Sequence, residues 1–183
     1  MDRAINQPEN KTRRAWNNYH DRQTYVKQYS WAIPTKEVIN KLVELSPLIE
    51  IGAGTGYWAS LVNQAKGEIF PFDQYLGLKN TYKHTMNWIK INQGGPGILK
   101  ETTKEINLFL CWPPYAEPMA IQCLNFFNGN YICYIGEGSG GCTACDQFHT
   151  QLERQFILEE EIFIPQWSGI HDSFYIYRRR TKA

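Results

Sequence analysis

The sequence predicts an α/β domain on a mainly parallel sheet that ends in an antiparallel pair. Three observations predict it. A short apolar run at 48–51 passes through a glycine turn into a helical pattern. The strand-then-helix order returns after residue 107. The last two β-rich runs, 157–164 and 173–178, lie too close together for a helical crossover and so pair as a hairpin.

Residues 1–34 read as an N-terminal helical arm or lid, and 35–183 as the domain proper. The arm mixes Lys11, Arg13, Arg14, Arg22 and Lys27 with Trp16, Tyr19, Tyr25 and Tyr29. That mixture suits an amphipathic helix packed on its own domain; it also suits nucleic acid. Residues 35–45 predict a helix, capped by Thr35, with Val38, Leu42 and Leu45 on one face and Ser46-Pro47 as its stop. The apolar run at 48–51 is a strand. Trp58, Leu61, Val62 and Ala65 then fall at helical spacing, with Gly67 suited to the C-terminal cap.

Residues 69–72 form a second strand, ending at Asp73. The stretch 78–106 has no clear period beyond a turn at Gly94-Gly95-Pro96-Gly97. Residues 108–110 are a buried strand that ends in Cys111-Trp112-Pro113-Pro114-Tyr115. Pro118 opens a helix bearing Ala120, Cys123, Leu124 and Phe127. Residues 131–135 are a further buried strand, followed by Gly136-Glu137-Gly138. Thr143 and Asp146 mark a helix start, with Phe148, Leu152 and Phe156 on one face. The hairpin runs are joined by residues 165–172.

Composition sets the limits. The chain has 183 residues, 43% hydrophobic and 20% charged, enough for one core and unlike a disordered or fibrous chain. A net charge of +1 gives no overall pull toward nucleic acid or anionic membrane, although local basic clusters such as Arg178-Arg179-Arg180 stay open. The polar opening MDRAINQPENKTRR is not a signal peptide, and no apolar run reaches membrane-helix length. A cytoplasmic protein with free thiols at Cys111, Cys123, Cys133, Cys142 and Cys145 is expected. Cys142 and Cys145 form a lone C-x-x-C, and the four His complete no ligand set, so no metal is expected.

In a parallel sheet, ligands bind at the carboxyl ends of the strands. The glycine turn, Asp73, the Pro-Pro-Tyr turn, the Gly-Glu-Gly turn and the 165–172 connection all fall there. Gly52, Gly54 and Gly56 follow G-x-G-x-G, and the third glycine of the dinucleotide fingerprint is replaced by Tyr57. This disfavours a nicotinamide oxidoreductase. Glu50 beside the turn would repel pyrophosphate and attract an ammonium group.

Glu50-Ile51-Gly52-Ala53-Gly54-Thr55-Gly56 closely resembles the first motif of class I S-adenosylmethionine-dependent methyltransferases. Asp73, the Pro-Pro-Tyr turn and the terminal hairpin fall in register with the same family over 48–178. The resemblance implies a Rossmann-like fold with a seven-stranded, mostly parallel sheet, helices on both faces and a C-terminal antiparallel hairpin. It implies S-adenosylmethionine as cofactor, with Glu50 on the methionine amine, Gly52, Gly54 and Gly56 along the methionine part, Asp73 on the ribose and Cys111 alongside. Tyr75 is a candidate for stacking on adenine. In amino-methylating members the (Asp/Asn)-Pro-Pro-aromatic motif aims the target NH₂, so Pro113 would supply a carbonyl and Tyr115 a stacking face.

Here the chain departs from the pattern. Trp112 occupies the Asp/Asn position, and indole only donates. Three readings stay open. Glu137 or Asp172 takes the acceptor role; or the nucleophile is another ring nitrogen, an oxygen or a sulfur, with His171 or Glu137 as base; or the chain is a catalytically silent S-adenosylmethionine-binding subunit of a partner. Trp112, Pro114, Trp167 and Asp172 complete the substrate side, an aromatic cleft for a planar or heterocyclic acceptor. The expected acceptor is a small molecule, through a nitrogen, or an exposed base. An unaided duplex would demand base flipping.

Overall fold

The computed structural model describes residues 19–76, 84 and 86–181.

The order of elements is α1 (Tyr19–Gln28), α2 (Lys36–Glu44), β1 (Leu48–Ile51), α3 (Tyr57–Gln64), β2 (Ile69–Asp73), β3 (Asn92–Gln93), a 3₁₀ helix (Pro96–Glu101), β4 (Asn107–Cys111), α4 (Met119–Phe126), β5 (Tyr131–Gly136), α5 (Asp146–Gln155), β6 (Phe156–Phe163) and β7 (Ser173–Arg179). The sheet has seven strands in the order β3-β2-β1-β4-β5-β7-β6. β1 runs parallel to β2 and β4, β2 to β3, and β4 to β5. β7 is antiparallel to both β5 and β6. The expected α/β sheet with a terminal antiparallel hairpin is therefore the fold observed.

Strand alternation divides the core in two. Leu48, Phe109, Cys133 and Ile135 face one layer with Val38, Leu42, Trp58 and Val62 of α2 and α3. Ile49, Ile51, Leu108, Leu110, Ile132 and Tyr134 face the other with Cys123, Leu124, Phe148 and Leu152 of α4 and α5. Both faces are covered, which is why β4 and β5 read as nearly continuous apolar runs.

Three local expectations are corrected. Thr143 does not cap α5: Cys145 stands at the N-cap, and the Thr143 hydroxyl instead accepts from Glu137 N–H at 2.8 Å and bonds Tyr134 Oη at 2.6 Å. Phe156 is not on the helix; it opens β6 directly after Gln155 and reaches the same core from there. The left-handed residue ending α3 is Lys66 (φ 71°), while Gly67 is needed for close approach, since a Cβ there would lie 2.7 Å from Val62. The unread stretch 78–106 supplies β3 and the 3₁₀ helix; residues 77–83 and 85 lie outside those described.

Arm residues 1–18 also lie outside them. The described part of the arm is bound to the domain by three indoles. Trp58 donates to Ser30 Oγ (3.0 Å), Trp88 to the Gln28 carbonyl (2.7 Å) and Trp167 to the Trp31 carbonyl (2.8 Å). The Thr55 hydroxyl donates to the Tyr29 carbonyl. Among the described residues, no helix is long and apolar enough to cross a membrane and no group of three His, Cys, Asp or Glu is placed to hold a metal. The five cysteines form no disulfide.

Candidate functional site

The strand order reverses between β1 and β4, and the connections leaving them diverge to opposite faces of the sheet. A crevice opens at that point, at the carboxyl ends of the strands. It holds a cavity of about 430 Å³. Its floor is Glu50 through Thr55; one side is Asp73, Gln74 and Tyr75 with the Gly94-Gly95-Pro96 turn; the other is Cys111 through Tyr115 with Met119. The arm closes it through Arg22, Val26 and Tyr29 to Trp31.

The glycine turn is shaped by its backbone. Gly52, Gly54 and Gly56 all have positive φ (81°, 57° and 71°), a region that costs an L side chain about 1–2 kcal/mol. At Gly56 a Cβ would also lie 2.8 Å from Ile89. The turn is fastened across the crevice: Asp73 accepts from Gly54 N–H on Oδ2 and from Tyr75 N–H on Oδ1, both at 2.8 Å.

Glu50 is the electrostatic centre of the cavity. It is only 1% exposed, and its Oε2 has no hydrogen-bond partner. Burial, with Asp73 nearby, pushes its carboxyl up to about 8. Such a carboxyl, protonated while the cavity is empty and with one oxygen unpartnered, can take a cation by giving up its proton. Cys111, on the same face of the sheet, has its thiol pushed well up by burial and by the charges of Glu50 and Asp172, so it lines the cavity as a neutral group. His84 packs against the turn, with Cε1 3.0 Å from a Cβ position at Gly54, and burial lowers its pKa.

The structure brings together Glu50, Gly52, Gly54, Asp73, Cys111, Trp112, Pro113, Pro114 and Tyr115, all on the cavity wall. Gly56 stands just behind it as the residue before α3. Four expected residues are placed elsewhere. Glu137 does not face the cavity: Oε2 accepts from Cys142 N–H (2.7 Å) and Oε1 from His171 N–H (2.8 Å), so it ties two connections together. The His171 ring points to solvent, 83% exposed. Trp167 is buried beneath the arm against Tyr25. Asp172 lies behind Trp112, whose indole donates to its Oδ2 at 2.8 Å. Asp172 is raised chiefly by burial, with the Trp112 bond opposing the rise.

The Pro-Pro-Tyr turn also differs in detail from expectation. Trp112 has φ 52° and stacks on Trp31 at 5.1 Å and 15°. The Pro113 carbonyl already accepts from Ala144 N–H at 2.9 Å, leaving one lone pair. Tyr115 stands at the rim, 65% exposed. The sequence reading missed Arg22, Trp31, Met119 and the Gly94-Gly95-Pro96 wall. The Gly-Gly-Pro turn was visible; only the β2–β3 pairing shows that it abuts Asp73, where Gly94 N–H donates to the Asp73 carbonyl at 3.0 Å.

No protein-family model matches the chain, and no curated protein is similar to it in sequence. Solved structures are similar in fold. The chain has a Rossmann-like methyltransferase fold. An S-adenosylmethionine-dependent methyltransferase from Anabaena variabilis aligns over 97% of this chain and 98% of its own, with TM-score 0.52 and 13% identity. Magnesium protoporphyrin IX methyltransferase from Synechocystis, solved with bound S-adenosylmethionine, aligns over 92% and 95%, at 0.53 and 8%. The N-methyltransferase NodS from Bradyrhizobium japonicum, in complex with S-adenosylhomocysteine, aligns over 80% and 87%, at 0.51 and 13%.

Proposed function

We propose that the chain binds S-adenosylmethionine and transfers its methyl group to a nitrogen of a small planar or heterocyclic acceptor. The observation that carries this is Glu50: a buried carboxyl with an unpartnered oxygen at the base of a cavity built on three positive-φ glycines. Glu50 would take the methionine amine, the Gly52–Gly54 backbone would pass beside the methionine part, and Asp73 would take the ribose hydroxyls with the lone pairs its two amide bonds leave free. When bound, the cofactor supplies a methyl on a positively charged sulfur, open to a nucleophile in line with the carbon–sulfur bond.

The chain's own contribution is binding and orientation. Glu50 ionises when a cation arrives and holds it. Trp112, fixed by Asp172 and stacked on Trp31, gives a flat wall, and Pro114 with the exposed Tyr115 continues it to the rim. The free lone pair of Pro113 can accept from an amine N–H. The withdrawal of Glu137 and His171 from the cavity favours nitrogen over oxygen or sulfur, because a neutral nitrogen attacks without prior deprotonation. Residues 1–34 would act as a lid, its described part pinned by the indoles of Trp58, Trp88 and Trp167.

The test is calorimetric titration with S-adenosylhomocysteine on the wild type and Asp73→Ala. Micromolar binding that weakens in the variant supports the reading. No binding to the wild type refutes it. Binding with no turnover on any acceptor would instead support a silent cofactor-binding subunit.

A further inference from the structure

Arg22, on α1, lines the cavity. Its guanidinium carbon stands 5.0 Å from the centre of the Trp31 ring, and Trp31 in turn stacks on Trp112. The buried Nε has no hydrogen-bond partner. Among the described residues Arg22 forms no ion pair. Its charge acts on Asp172 and on the Cys142 thiol, in the connections that follow β6 and β5. Arg22 therefore belongs to the β5 side of the switch point, whereas Glu50 and Asp73 hold the β1–β2 side.

A guanidinium is charged at every working pH, and its planar fork matches a carboxylate or phosphate. A buried N–H with no acceptor is costly, and the cost is relieved when an anion binds. The carboxylates nearest this end do not relieve it. Asp172 is engaged through Oδ2 by the Trp112 indole, and its buried Oδ1, which has no hydrogen-bond partner, forms no ion pair with Arg22; Glu117 lies exposed at the rim.

We propose that the acceptor carries an anionic group, a carboxylate in the simplest case, which Arg22 binds while the acceptor ring lies against the Trp31–Trp112 wall. The inference rests on the methyltransferase reading above. It makes Arg22 a specificity-determining residue: it selects aromatic acids over their neutral counterparts and turns the ring so that the end away from the anion faces the methyl side.

The test uses the full chain loaded with S-adenosylhomocysteine. Benzoate and 2-naphthoate are titrated by calorimetry beside the matched neutral probes benzamide and 2-naphthamide. At least one acid is expected to bind about ten-fold or more tighter than its amide. Arg22→Gln should abolish that preference, Arg22→Lys should keep part of it, and both variants should retain wild-type affinity for S-adenosylhomocysteine, which also shows that they fold. Equal binding of acid and amide overturns the proposal, as does failure of both acids to bind the loaded protein. A ten-fold loss of S-adenosylhomocysteine affinity in Arg22→Gln also overturns it, because the anion would then be the cofactor's own carboxylate. If S-adenosylhomocysteine does not bind the wild type, the methyltransferase reading falls first; if it binds and no acid preference is found, only the present proposal falls.

Discussion

The buried Glu50 carboxyl makes the free protein's stability and its cofactor affinity depend on pH in opposite directions. The group titrates at about 8 when folded, against an ordinary 4.5. Between those values the folded state holds a proton that the unfolded state has lost, so stability falls as pH rises. Proton linkage over this interval gives a loss of about 2 kcal/mol from pH 6 to pH 8, or about 4–8 °C in Tm for a chain of this size. His84, with its lowered pKa, acts in the opposite sense, its contribution being lost as pH falls. Comparison with Glu50→Gln removes that and every other background. The wild type should lose stability relative to the variant as pH rises from 6 to 8, measured by urea or thermal unfolding.

Binding of a cation requires Glu50 to ionise. S-adenosylhomocysteine should therefore bind about ten-fold more tightly per pH unit from pH 6 toward 8, releasing close to one proton. Calorimetry in buffers of different ionisation enthalpy counts that proton. A wild type and Glu50→Gln with parallel stability profiles, together with pH-independent binding, would refute the assignment of Glu50 as the buried cation receptor.

Three further outcomes follow from the same geometry. Gly56→Ala should cost about 2 kcal/mol or more, from its left-handed φ and the 2.8 Å approach to Ile89, as read by urea unfolding. Glu137→Ala should destabilise by about 3 kcal/mol by stripping the acceptors from Cys142 and His171 N–H. Burial alone would raise the Glu137 carboxyl, but those amide bonds hold it below its ordinary 4.5; its stabilisation is present above that value and should fade as pH falls through the lower, folded one. His171→Ala should leave stability within about 0.5 kcal/mol and turnover unchanged, because its ring faces solvent; a hundred-fold loss of turnover would restore it as a base.

Where the sequence was read well, the signal was local. Alternating apolar residues, the cap at Thr35 and the spacing of Gly52, Gly54 and Gly56 each depend on residues a few positions apart. Thr35 does accept from Val38 N–H, at 3.2 Å. The reading went wrong where a side chain had distant suitors. Thr143 has the composition of a cap, yet Tyr134 and Glu137 claim its hydroxyl. Glu137, Asp172 and Trp167 sit in connections at the functional edge, and being at that edge does not decide which way a side chain turns.

The layered α/β order and the antiparallel close were legible in the chain, because period and turn residues encode them locally. Only the tertiary structure decided which edge residues enter the cavity. Glu137 is turned away by two backbone amides, Trp112 is turned in by Asp172 and Trp31, and Arg22 is carried from the arm by contacts with residues far along the chain. Those outcomes depend on which buried polar groups find partners once the layers have closed. Pairings across long separations, such as Trp167 to Trp31, leave no periodic trace in the chain.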